Sequence, residues 1–270
     1  MGWGMSKTTY MFLAIMLVPG SILPAVAASF RDCPVQCPEM AELPPGDFLM
    51  GGAPTEEAWS GMEAPRHKVT IAKPLAVSKY DITFDEWNAC AADGGCGGYI
   101  PSDFGFGRGK RPVITVNWND AQAYVAWLSR KTGKHYRLLS ESEWEYAARG
   151  GSSAAYYWGD AVGKGNAVCN GCGSEWDKKS STPVGSFPPN PFGLYDMAGN
   201  VMQWTQDCWN PSYEGAPADG SPWMSGDCTH HVVRGGNWFI RPFALRSGFR
   251  RQVPADERDD IFGFRVARDL

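Results

Sequence analysis

The chain has 270 residues, of which 43% are hydrophobic and 20% charged, a balance that buries a sizeable core and excludes a disordered tail, a collagen-like fibre and a coiled coil. Its formal net charge is −4 and its basic residues are interspersed with acids, which argues against a nucleic-acid-binding surface. The counts of Gly (32), Pro (20) and Trp (12) point to one globular chain, rich in turns and pinned by large aromatic side chains.

Met1–Ala27 reads as an export signal: Lys7 supplies the positive region, Tyr10 to Val18 the apolar stretch, and Ala25-Val26-Ala27 the small-residue cleavage pattern. Pro19, Gly20 and Pro24 break the apolar run short of the roughly 20 residues a membrane span needs, so no stable membrane anchor is expected. The mature chain is then a lead-in over 28–37 followed by one domain over 38–270, in the periplasm or secreted.

Export decides how the cysteines are read, because thiols in an oxidising compartment pair. The spacing favours four local pairs: Cys33 with Cys37, Cys90 with Cys96, Cys169 with Cys172, and Cys208 with Cys228. Sequence alone does not fix connectivity, and the C-x-x-C at Cys169 is also compatible with a redox pair or half a zinc site.

Along the mature chain, Phe48–Gly52 and His67–Ile71 read as short strands. Thr83 with Glu86 forms a capping box for a helix through Trp87 to about Ala92, stopped by Gly94-Gly95. Pro101–Arg111 has no apolar period and reads as a surface loop. After Asn117, the residues Ala121, Tyr124, Val125 and Leu128 recur at helical spacing and Gly133 sits where a left-handed terminus belongs. Ser140 and Glu143 form a second capping box, opening a helix with Trp144, Tyr146, Ala147 and Ala148 that Gly150-Gly151 closes. Beyond Gly151 no helix is expected, and Val232–Arg234 and Phe264–Val266 read as strands. No internal repeat or linker divides the chain.

Four segments, in order, resemble the formylglycine-generating enzyme family, also called sulfatase-modifying factors: Arg137 to Gly151 (RLLSESEWEYAARGG), Gly193 to Val201 (GLYDMAGNV), Arg234 to Trp238 (RGGNW) and Gly263 to Val266 (GFRV). The resemblance implies an α+β, single, irregular, loop-rich domain of the C-type-lectin-like kind with few short strands and helices. It also implies a founding activity, the copper- and oxygen-dependent oxidation of a substrate cysteine to formylglycine. Active members hold copper with two cysteines at the fourth and ninth positions after the second Gly of the RGG motif. Here these are Ile240 and Leu245, side chains without a heteroatom, and Asn237 replaces the Ser common after Gly-Gly. The expectation is loss of the oxidase chemistry without copper, and a binding or maturation accessory role toward a protein or peptide client. The competing expectation is an active oxidoreductase of the family with a different metal arrangement.

The resemblance further implies structural calcium at two loops. One falls on Asp196, Gly199, Val201 and Gln203, and a looser one on Asn166, Ala167, Asp177 and Lys179. The plainer alternative is that Asp196 and Asn166 only cap turns. Because the family's substrate groove runs over the C-terminal segment, Asn237, Trp238 and Arg241 are the candidate pocket. Arg250 and Arg251 are expected to pair with the nearby acids Asp256, Glu257, Asp259 and Asp260, and His67, His135, His230 and His231 to be surface residues without a role.

Overall fold

The computed structural model describes residues 1–4 and 29–270, so the expected export signal from residue 5 onward and its cleavage site lie outside the described residues. The chain begins with β1 (Ser29–Phe30), β2 (Met40–Leu43), β3 (Gly46–Met50), β4 (His67–Ile71) and β5 (Leu75–Ser78). Three helices follow, α1 (Phe84–Ala92), α2 (Trp118–Thr132) and α3 (Glu141–Arg149), with β6 (Tyr136–Leu138) before the last. The remainder holds β7 (Met202–Trp209), β8 (Asp227–Arg234), β9 (Arg250–Pro254), β10 (Phe262–Phe264) and β11 (Val266–Asp269). A five-stranded sheet runs β1-β2-β5-β11-β6, a four-stranded one β10-β7-β8-β9, and β3 pairs with β4.

The helix ends form where local chemistry dictates. Thr83, Asn117 and Ser140 each accept from the backbone N–H three residues on, and Glu86, Asp120 and Glu143 each reach back to the capping residue's own N–H. Gly133 and Gly150 close α2 and α3 in the left-handed region, at φ 68° and 54°. The apolar face of α2 enters the main core, where Tyr124 stacks on Trp87 with centroids 6.1 Å apart and meets the ring of Phe264 at 5.3 Å.

Several strands carry no alternating pattern. All four residues of β5 are buried, because Leu75 and Val77 enter one core cluster and Ala76 another on the opposite face, and β7 is buried almost throughout. The segment Phe264–Val266 is not one strand: it divides at Arg265 into β10 and β11, which belong to different sheets. The first expected strand is shifted, from Phe48–Gly52 to Gly46–Met50. Every residue of α3 is buried, its charged ones included, since Glu141, Glu145 and Arg149 face an interior ion cluster.

All eight cysteines are paired, as Cys33–Cys37, Cys90–Cys96, Cys169–Cys172 and Cys208–Cys228, and none is free. No helix among the described residues is long and apolar enough to cross a membrane.

Candidate functional site

The C-terminal site is built on the turn that follows β8. Arg234 is fully buried and donates to Glu141, Glu145 and the Ser247 carbonyl at 2.8, 2.6 and 2.6 Å, which anchors the strand end. Gly235 and Gly236 then take φ values of 92° and 70°, and a Cβ on Gly236 would lie 2.6 Å from Leu245 Cδ1 and 2.9 Å from the Ala244 carbonyl. Only glycine lets residues 237–245 fold back this closely.

Asn237 is buried, and its Oδ1 accepts from the N–H groups of Phe239 and Ile240, both at 2.9 Å, so it holds the turn instead of lining a pocket. Trp238 is also buried; its indole N–H donates to the Asp260 carbonyl at 3.3 Å and its ring meets Phe106 edge-on. Of the three candidate pocket residues, Arg241 alone opens onto a groove, a space of 520 Å³ lined also by Glu56, Glu57, Tyr156, Asp160 and Arg246.

Leu245 is buried beneath this region in one apolar cluster with Ala155, Tyr156 and the disulfide-bonded Cys169 and Cys172, and Ile240 packs against the same cluster. The Asn170 N–H between those cysteines donates to the Ile240 carbonyl at 2.8 Å. The family's copper positions are therefore hydrocarbon, and the nearest sulfurs are spent in a disulfide. Copper does not fit this donor set, because its soft thiolate ligands have no counterpart.

The calcium loops differ from each other. Asp196 is buried, which lifts its carboxyl to about 6 against the Gly185 N–H and the Arg265 charge that favour ionisation. Gln203 spends its amide oxygen on the Trp144 indole and on Arg265 Nε, at 2.6 and 2.7 Å, and donates to the Asp196 carbonyl. That leaves no lone pair on Gln203 for a metal, whereas no hydrogen bond among the described residues ends on the carbonyls of Gly199 or Val201. Asp81 supplies what the sequence did not signal. It is fully buried, both of its carboxylate oxygens lack a hydrogen-bond partner, and Arg265 stands 3.5 Å away with its donors directed to Ser78, Tyr195 and Gln203. Burial holds the Asp81 carboxyl well above the usual range. Two buried acids share one guanidinium, and a hard cation ligated by oxygens would relieve that imbalance.

In the other loop, Asp177 accepts from Ser174, Gly173 and Cys169, which outweighs its burial and keeps its carboxyl below the usual range. Asn166 donates to the Val162 carbonyl. These bonds tie Asp177 into its own turn and leave the Asn166 side-chain oxygen and the carbonyls of Ala167 and Lys179 without hydrogen bonds among the described residues.

Two expectations are corrected. Arg250 does not pair with the nearby acids; it forms a bidentate pair with Glu141, at 2.8 and 2.7 Å, because both lie inside the ion cluster beneath β8. His231 is not a surface residue. It is buried and stacks on Trp118 with centroids 3.9 Å apart, its Nδ1 against the Asp207 carbonyl, and burial lowers its pKa.

The loop-rich architecture of short strands and three helices, with its buried RGG turn, defines a C-type-lectin-like protein of the formylglycine-generating-enzyme kind. The chain belongs to the family of the sulfatase-modifying factor enzyme 1-like domain, which it matches over residues 26–270. It is similar to the solved structure of PvdO from Pseudomonas aeruginosa, 40% identical with a TM-score of 0.83, covering 91% of this chain and 99% of that one. Among curated relatives, the formylglycine-generating enzyme of Streptomyces coelicolor is 35% identical over 180 residues, covering 60% of this chain and 54% of the relative. This chain thus spans about half the length of that enzyme. A mouse protein named inactive C-alpha-formylglycine-generating enzyme 2 is 31% identical, covering 92% of this chain and 94% of its own.

Proposed function

We propose that this chain is an exported, calcium-stabilised member of the family that binds or helps mature a protein or peptide client and does not oxidise cysteine to formylglycine. One observation carries this reading: Ile240 and Leu245 occupy the copper-cysteine positions inside an apolar cluster closed by the Cys169–Cys172 disulfide. Without a thiolate, neither copper ligation nor a mixed disulfide with a substrate cysteine has an atom to form on. The name of the mouse relative is in keeping with this. The groove beside Arg241 shares Ala155, Tyr156 and Val162 with that cluster, which supports a binding role for it. The calcium in this reading is held by Asp81, Asp196 and the carbonyls of Gly199 and Val201, where it would neutralise buried acid and fix the loop leading into β7.

The test is incubation with copper, oxygen and a peptide containing Cys-x-Pro-x-Arg, followed by mass spectrometry. The cysteine is expected to survive, and conversion to the aldehyde would instead establish an oxidoreductase with another metal arrangement.

A further inference from the structure

We propose that the groove beside Arg241 selects a ligand bearing both a carboxylate and an ammonium group. The inference rests on the binding-module reading above and adds the chemistry that its groove would recognise.

Most buried cations and acids among the described residues are paired. Arg234 and Arg250 are held by Glu141, Arg149 by Glu145, and Arg246 by Glu56 and Glu63. At the groove the exposed charges are unpaired. Arg241 is exposed and, among the described residues, no carboxylate lies within ion-pair distance of it. Glu57 is exposed and has no cation or hydrogen-bond partner among the described residues. Asp160 spends one oxygen on the Ala155 N–H, at 3.1 Å, and keeps the other free. Unpaired charges of both signs thus share a space of 520 Å³ without reaching one another.

Arg246 also lines the groove and is 1% exposed; its two terminal nitrogens serve Glu56, Glu63 and the Ala58 carbonyl, and its Nε–H is buried with no acceptor, as are those of Arg66, Arg234 and Arg268 elsewhere, but Arg246 is the one of the four at this groove. An unmet buried donor is costly, and a ligand oxygen beside it would remove that cost.

The donors and acceptors divide by type. A guanidinium at Arg241 and an unmet N–H at Arg246 suit a carboxylate, which accepts several hydrogen bonds at once. Glu57 and Asp160 are acceptors only and suit an ammonium, which only donates. Tyr156 and Pro242 add apolar lining to the same groove. A purely anionic ligand meets Glu57 and Asp160 with like charge, a purely cationic one meets Arg241, and a neutral one leaves all three desolvated without compensation. The same chemistry has two sources: the free termini of an amino acid or short peptide, or neighbouring acidic and basic side chains of a longer client.

Calorimetric titration of the intact, disulfide-bonded protein at low ionic strength separates them. The probes are Ala-Ala, its N-acetyl and C-amide forms, an acetyl-Lys-Gly-Glu-amide peptide, and the capped peptides in which Gln replaces Glu or norleucine replaces Lys. Saturable binding of Ala-Ala or of the capped Lys-Gly-Glu peptide is expected, with each charge-deleted form at least tenfold weaker. Arg241→Gln should abolish the preference for the carboxylate, and Glu57→Gln with Asp160→Asn the preference for the ammonium, in variants whose melting temperature is unchanged. Binding of Ala-Ala assigns the site to free termini, and binding of the capped peptide to client side chains. Failure of both to saturate, equal binding of the charge-deleted forms, or indifference of the folded variants overturns the proposal. A positive formylglycine assay would sink the proposed function and leave this measurement standing.

Discussion

Glu141 and Arg234 sit in the same buried ion cluster, yet their removal should not cost the same. Glu141 accepts from Arg234 Nη1, Arg250 Nε, Arg250 Nη2 and the Tyr213 hydroxyl, at 2.8, 2.8, 2.7 and 2.9 Å. Glu145 lies between Arg149 and Arg234, at 2.7 and 2.6 Å. In Glu141→Gln, the guanidiniums of Arg149, Arg234 and Arg250 are left with Glu145 as their only carboxylate at these distances. An amide nitrogen would also face donors where an oxygen stood. Stripping the charge from one side of a buried pair costs about 3–5 kcal/mol, and this substitution should fall in that range. Arg234→Met leaves Arg250 on Glu141 and Arg149 on Glu145, so every remaining ion keeps a partner. Its cost comes from the lost bonds to Ser247 and Tyr213 and from imperfect packing, about 2–3 kcal/mol. Urea unfolding at pH 7 with the disulfides intact, at constant denaturant slope, gives both values. If Arg234→Met costs as much as Glu141→Gln, or Glu141→Gln costs less than about 1 kcal/mol, the cluster does not stabilise the fold as described.

Two further outcomes follow from the buried acids. Burial, with Glu141 nearby, raises Asp207 to about 7 from an ordinary value of 3.8. The folded state therefore binds a proton in that interval that the unfolded chain has released, and stability falls as pH rises through it, by up to about 1.4 kcal/mol per unit. Urea midpoints at pH 5 and pH 8 should show this decline, and Asp207→Asn should lack that component; an equal decline in both proteins would refute the assignment. Calcium should raise the melting temperature, corresponding to about 2.7 kcal/mol at a hundredfold excess over its dissociation constant. Asp81→Asn should remove that response while leaving the calcium-free protein as stable or more so, because Asp196 still faces Arg265 and a buried carboxylate without hydrogen-bond partners is gone. A melting temperature that ignores calcium, or an Asp81→Asn protein that still responds, would contradict the site.

What the sequence determined by itself is chiefly what is local or carried by motif. The caps at Thr83, Asn117 and Ser140 lie three residues from their partners, and the four disulfides join cysteines 3 to 20 residues apart, so a reader of the chain meets both members together. The RGG turn and the Ile240 and Leu245 substitutions are likewise visible as letters at fixed spacing. Strands β5 and β7 were hidden because neighbours on both faces erase the alternation that marks a strand. The rest only tertiary structure decided. Arg250 finds Glu141 across 109 residues and Arg246 finds Glu63 across 183, pairings that depend on where the folded chain excludes water and not on proximity in sequence. Asp81 becomes a metal-site candidate only because folding buries it beside Asp196 with its oxygens unmet. Glu57, Asp160 and Arg241 come from three separate loops, and their shared groove exists only once the RGG turn brings the last of them back over the apolar cluster.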